Sequence, residues 1–140
     1  QMPILFDRTL WENISYGFKE GELKRSDILD ILEKMGMGEL GLVFKERFDK
    51  PVGKKGSFLS GGQRQIVWVL RALLGKAKVI ILDEPTSALD EDNKDNVKKM
   101  IRFLTKNRTL IIITHERELL EGMDRVIVFD DGVIKNDKKL

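Results

Sequence analysis

Cysteine is missing from the 140 residues. That excludes a disulfide scaffold and any zinc site built on thiolates, and it fits a reducing compartment. Apolar runs long enough to cross a bilayer are missing too. Candidates such as Val79–Leu82 and Leu110–Ile113 have the length of strands, far below the roughly 18–20 residues that a spanning helix needs. No basic start followed by an apolar core marks a leader peptide, so membrane contact is expected only through another domain or chain. An excess of one charge is also lacking: 25 basic and 23 acidic residues leave a net charge of +2, which gives no global pull toward nucleic acid. Nor does Gly-x-x-x-x-Gly-Lys-Ser/Thr, the loop that cradles nucleotide phosphates, occur anywhere. Gly53-Lys54 and Gly75-Lys76 are followed by Lys55 and Ala77, and neither has the glycine spacing. There are no internal repeats and no low-complexity segments.

What is present is organised around Leu59 to Asp90. A hydrophobic content of 41% with 34% charged residues suits a globular chain, one domain or part of one. Ser60-Gly61-Gly62-Gln63 places small residues at a helix start, where first-turn N–H groups lack partners and an anion such as phosphate is favoured. Val79–Leu82 is apolar at every position, as expected for a parallel strand covered on both faces. It runs straight into Asp83, Glu84 and Pro85. A buried strand that ends in paired acids presents carboxylates at a sheet's carboxyl edge, where metal and water chemistry is carried out. Taken singly, Ser-Gly-Gly reads as a flexible turn and Asp-Glu-Pro as a polar strand exit. Their order and spacing make the functional reading the stronger one.

This combination closely resembles the nucleotide-binding domain of ATP-binding-cassette (ABC) transporters. Leu59-Ser60-Gly61-Gly62-Gln63 matches the family signature, Val79–Glu84 its Walker B strand, and Ser87-Ala88-Leu89-Asp90 its D-loop. Ile-Ile-Thr-His, ending at His115, looks like its H-loop. Gln1 with Pro3, Leu5, Phe6, Thr9 and Asn13 is similar to its Q-loop and the residues just after that loop. The resemblance implies an α/β fold of the P-loop NTPase (RecA-like) type, a parallel sheet with helices plus an α-helical subdomain. It implies a partial domain over residues 1–140, with about 10–57 helical and 58–140 carrying the signature helix, Walker B and H-loop. The missing phosphate loop would lie upstream of Gln1.

By the same resemblance the cofactors are ATP and Mg2+. Asp83 holds the ion through water, Gln1 touches the ion and the attacking water, and Glu84 is the general base. His115, the only histidine, bonds the γ-phosphate; a lone histidine is more often structural, but this one directly follows an apolar strand. Ser60, Gly61, Gly62 and Gln63 grip an ATP held by a second nucleotide-binding domain in a head-to-tail dimer, and Asp90 speaks across that dimer. The implied partners are that second domain and a transporter's transmembrane domain, with no nucleic acid, at the cytoplasmic face of a membrane. The implied function is ATP hydrolysis that drives transport, exporter-like given Glu12-Asn13-Ile14-Ser15-Tyr16-Gly17. Two alternatives stay open: a DNA-associated ATPase of the structural-maintenance type, and a non-catalytic regulatory remnant. The chain departs from the family pattern at Ile66 where an arginine is usual, at Trp68 and Leu70 where small residues are usual, and at Lys54, in the X-loop-like Val52–Gly56, where an acid is usual. The changes at Lys54, Ile66 and Trp68 keep the remnant open, although the intact Asp83, Glu84 and His115 argue against it.

The remaining elements are read from periodicity and punctuation. Ser26 is a plausible helix cap, with Ile28, Ile31, Leu32 and Met35 as an apolar stripe closed by Gly36, and a second helix covers Glu39 to Phe48. Gly61 to Leu74 forms a mostly buried helix closed by Gly75. Asp90 caps a helix with Val97, Ile101 and Leu104 inward. Leu110–Ile113 is a strand, and a short helix through Leu119 and Leu120 stops at Gly122. Arg125–Phe129 is another strand, and Asp131-Gly132 turns the chain into Val133-Ile134. The polar tail after Lys135 is expected to fray.

Overall fold

The computed structural model describes residues 4–87, 89–104 and 108–140, the side chain of Leu104 excepted. Gln1 and Ala88 therefore lie outside the described residues, as does the side-chain packing expected of Leu104.

Helix α1 (Leu10–Ile14) begins at Thr9, whose hydroxyl accepts from the Glu12 N–H while the Glu12 carboxylate accepts from the Thr9 N–H at 2.9 Å. The reciprocal pair satisfies two donors that would otherwise be orphaned. Helices α2 (Arg25–Lys34) and α3 (Gly38–Arg47) pack on one another, and Gly36 turns the chain between them at φ +69°. The α2 cap differs from the sequence expectation. Lys24 occupies the cap and Ser26 is already inside the helix, because the Asp27 carboxylate reaches back to the Lys24 N–H at 2.8 Å. The segment up to Arg8 returns to this helical region through backbone bonds, Leu10 N–H to Lys50 O at 3.0 Å and Val52 N–H to Arg8 O at 2.9 Å.

Helix α4 (Gly61–Leu74) is the centre of the molecule. Gly62, Gln65, Ile66, Val67, Val69, Leu70 and Leu73 are all buried along it. Gly75 ends the helix by donating to Arg71 O at 3.0 Å, from φ −59° rather than from the left-handed region. One hydrophobic core runs from Leu5, Leu10 and Ile14 through Ile28, Leu32, Phe44 and Phe48 to α4 and on to Ile80, Leu82, Val97, Met100 and Ile101. Helix α4 thus joins the helical residues to the strands, and each fully buried Leu, Ile or Val contributes about 1.5–3 kcal/mol.

Strand β1 (Val79–Asp83) pairs in parallel with β2 (Thr109–Ile113), Val79 opposite Thr109 and Asp83 opposite Ile113. Helix α5 (Glu91–Leu104) makes the crossover and packs on α4. The expectation that both faces of β1 are covered is not met. Ile80 and Leu82 are buried, whereas Val79 and Ile81 are 53% and 60% exposed and Ile111 and Ile113 lie open beside them. Only one face of this pair is covered among the described residues, so alternate apolar side chains stay open.

Strands β3 (Arg125–Asp130) and β4 (Val133–Lys139) form a separate antiparallel hairpin. Its turn, Asp131-Gly132, takes positive φ at both residues, +48° and +72°, which matches the twist of the strands it joins. The tail expected to fray is ordered as β4. Its backbone pairs with β3 to Lys139, and Asp137 takes both ends of the Arg125 guanidinium at 2.5 and 2.7 Å. A polar tail can hold as a strand when the ladder itself satisfies its backbone.

Candidate functional site

The start of α4 and the carboxyl ends of β1 and β2 are the two parts of the site. At the first, Ser60 is extended (φ −63°, ψ 164°) and its hydroxyl accepts from the Gln63 N–H at 3.1 Å, while Gln63 Oε1 accepts from the Ser60 N–H at 3.2 Å. This capping box uses the side chains of Ser60 and Gln63 on each other. The N–H groups of Gly61 and Gly62 have no carbonyl within the helix to bond, and a helix start of this kind attracts negative charge. Gly61 is exposed; a Cβ there would meet nothing closer than the Arg64 guanidinium, at 3.9 Å. Gly62 is buried, and a Cβ there would overlap the carboxamide of Asn93. Arg64 Nη1 donates to Leu59 O at 2.7 Å and fixes the approach to the cap.

At the second part, parallel register carries the chain to the same edge twice. Asp83 is the last residue of β1, exposed and opposite Ile113. Glu84 turns out of the strand at φ +45°, held by its N–H donating to Ile113 O at 2.9 Å and by the Ser87 hydroxyl donating to its carbonyl at 3.0 Å. A left-handed conformation at a non-glycine residue is strained by about 1–2 kcal/mol. It aims the carboxylate at the end of β2, where His115 Nδ1 lies 3.0 Å from Glu84 Oε1. Hydrogen bonding to Glu84 and then its charge raise the His115 pKa above the ordinary imidazole value, with Glu116 helping and Lys94 opposing. The other Glu84 oxygen, Oε2, is buried and has no hydrogen-bond partner among the described residues, and the same holds for Thr86 Oγ1 two residues on. A buried polar atom left unpaired costs on the order of 1–3 kcal/mol, and such atoms mark places where a water or a ligand belongs.

Among the described residues, side chains of Gln65 and Asn93 join the parts. Gln65 Nε2, buried, donates to Pro85 O at 2.8 Å. Asp90 Oδ1 caps α5 by accepting from the Asn93 N–H at 2.9 Å and also accepts from Asn93 Nδ2 at 2.7 Å, and Asn93 lies against Gly62. Of the residues expected to act, Asp83, Glu84 and His115 share one strand edge; Ser60, Gly61, Gly62 and Gln63 form one helix start; and Asp90 is linked to that start through Asn93. Gln1 lies outside the described residues. Gln65 and Asn93 were not among the expected site residues. A glutamine facing inward on an otherwise apolar helix was the available signal for the first; nothing in the pattern pointed to the second.

The donor set suits a hard cation. Asp83 offers an exposed carboxylate at the carboxyl end of β1, and magnesium needs few protein oxygens because phosphates and waters complete its shell. Among the described residues no cluster of three or more acidic, histidine or cysteine side chains is shaped to hold a metal alone.

The family model described as "ABC transporter" matches residues 1–87. Among curated proteins, the chain is 41% identical over 134 residues to an ATP-dependent lipid A-core flippase of Neisseria meningitidis, covering 96% of this chain and 21% of that protein. It is 36% identical over 135 residues to the flippase of the same name from Francisella tularensis subsp. holarctica, covering 96% and 22%. Among solved structures, a bacterial Atm1-family ABC exporter with ATP bound superposes with a TM-score of 0.78 at 27% identity, covering 99% of this chain and 24% of that one. The chain therefore spans about a fifth of the length of these curated relatives.

Proposed function

The chain belongs to the ABC transporter family, and we propose that it supplies the signature helix and the water-activating edge of an exporter's ATPase. The observation that carries this reading is the Glu84–His115 contact at the end of a parallel strand pair, tied through Gln65 and Asn93 to a glycine-bearing helix start. Glu84 is the general base: one oxygen is held by His115, and the other, with no partner among the described residues, is the one left to take a proton from the attacking water. His115 fixes that carboxylate and offers its remaining ring nitrogen toward a terminal phosphate. The Gly61 and Gly62 N–H groups stabilise phosphate charge on a nucleotide held by a second copy or a homologous domain. Asp83 would hold magnesium with the phosphates, and the ion supplies neutralisation of developing phosphate charge.

The relatives described are transporters, which supports ATP-driven transport over the DNA-associated alternative. The intact Asp83, Glu84 and His115 argue against a non-catalytic remnant. Among the described residues no helix is long and apolar enough to cross a membrane, so attachment to a membrane, with this part at its cytoplasmic face, is proposed through a transmembrane domain. What is moved would be selected by that domain. The test is Glu84→Gln in the full-length protein. Phosphate release should fall by about 10²–10⁴-fold while ATP is still bound; undiminished release removes Glu84 as the base and the reading with it.

A further inference from the structure

Gly62 and Asp90 are separated in sequence by a helix, a strand and a turn, yet one side chain touches both. The Asn93 carboxamide lies so close over Gly62 that a Cβ on Gly62 would fall inside the radii of its Cγ, Oδ1 and Nδ2. That carboxamide is held in place from below: Nδ2 donates to Asp90 Oδ1 at 2.7 Å, and the Asn93 N–H donates to the same oxygen at 2.9 Å. The Asp90 oxygen fixes both the backbone and the side chain of Asn93, which leaves the amide little rotational freedom. Gly61, one residue earlier, has room for a Cβ. The two neighbouring glycines therefore differ. The first leaves room toward solvent, and the second leaves room for Asn93.

We infer that Asn93 is a positioning residue, a wedge between Asp90 and Gly62 that makes the first turn of α4 move together with the turn leading into α5. The inference rests on the reading of Ser60–Gln63 as a phosphate-binding helix start. It adds that the placement of that start is set by a side chain on another helix. The physical reason is contact geometry. Glycine at position 62 leaves the Asn93 carboxamide the space that a Cβ would fill, and packed atoms transmit displacement without slack. With Gln65 bonded to Pro85 O one turn further along, α4 is gripped at two points by the segment between β1 and α5 and by α5 itself. A shift of Asp90 would then be felt at the Gly61 and Gly62 N–H groups, and small misplacements of such donors weaken what they stabilise.

The test uses the full-length protein. Asn93→Asp keeps the shape of the wedge but replaces its donor to Asp90 with a second carboxylate, and Asn93→Ala removes the wedge. Both should raise the ATP concentration for half-maximal hydrolysis by about fivefold or more, with a smaller change in kcat, because the phosphate donors move while Glu84 and His115 do not. Gly62→Ala should lower the apparent melting temperature by several degrees, and Gly62→Ala with Asn93→Ala should recover most of that loss, since the overlap is relieved. Two strictly additive melting shifts, or Asn93→Asp behaving as the parent, would overturn the inference. Gly61→Asp separates this failure from failure of the underlying reading. If Gly61→Asp leaves turnover intact, the phosphate-site assignment falls and the positioning role falls with it. If Gly61→Asp abolishes turnover and Asn93→Asp is silent, only the positioning role falls.

Discussion

The imidazole of His115 meets the carboxylate of Glu84, Nδ1 to Oε1 at 3.0 Å, across the carboxyl ends of two parallel strands. The register that sets Asp83 opposite Ile113 puts each of these residues just beyond its own strand. The positive φ of Glu84 turns its side chain toward the neighbouring strand. A proton donor and a proton acceptor are thereby held together at an exposed edge.

Because the chain has a single histidine, its imidazole protons give one titrating NMR signal. The midpoint should lie above the ordinary 6.5, and Glu84→Gln should bring it back toward that value. An imidazole with a raised pKa in the fold stabilises most below its unfolded value, and the contribution is lost as pH rises through the folded one. The difference in unfolding midpoint between the parent and Glu84→Gln should therefore be present in mildly acidic buffer and absent in alkaline buffer. A titration that Glu84→Gln leaves unmoved contradicts the contact.

Arg71 joins α4 to the α1 segment. Its Nε donates to Asn13 O and its Nη2 to Asn13 Oδ1, both at 2.5 Å, while Phe6 and Tyr16 flank the guanidinium. Burial pushes its pKa down. Arg71→Met should destabilise the protein by about 1–3 kcal/mol, because it leaves buried Asn13 acceptors short of a donor. Arg71→Lys should recover only part of that, since a point donor does not reproduce a fork. Urea unfolding midpoints of the three proteins give the comparison.

Ile66 stands where the family pattern usually carries an arginine, and here it is fully buried in the core on α4. Ile66→Ala should cost about 2–5 kcal/mol in denaturant unfolding through the cavity it leaves. A loss below about 1 kcal/mol would mean that the site collapses around the gap.

Signals confined to a few neighbouring residues were readable in the chain itself. Ser60-Gly61-Gly62-Gln63 gives a helix start, Asp131-Gly132 a hairpin turn, and Val79–Leu82 running into Asp83-Glu84 a strand exit, because each depends on local backbone geometry and side chains within one turn. The cap of α2 lies at Lys24 rather than Ser26 because the Asp27 carboxylate, one turn on, accepts from the Lys24 N–H. The order in β4 was missed because a polar strand is stabilised by its neighbour's backbone rather than by its own composition.

The amino-acid sequence by itself determined the family, the acid pair and the glycine helix start, since their residue types and spacing carry the chemistry directly. Tertiary structure alone decided that Glu84 takes its partner from the end of β2, that Asn93 rather than open space faces Gly62, and that only one side of β1 is covered. Each of these depends on how elements distant in the chain are packed against one another. Side-chain periodicity says which way a residue points on its own element, but not what stands opposite it.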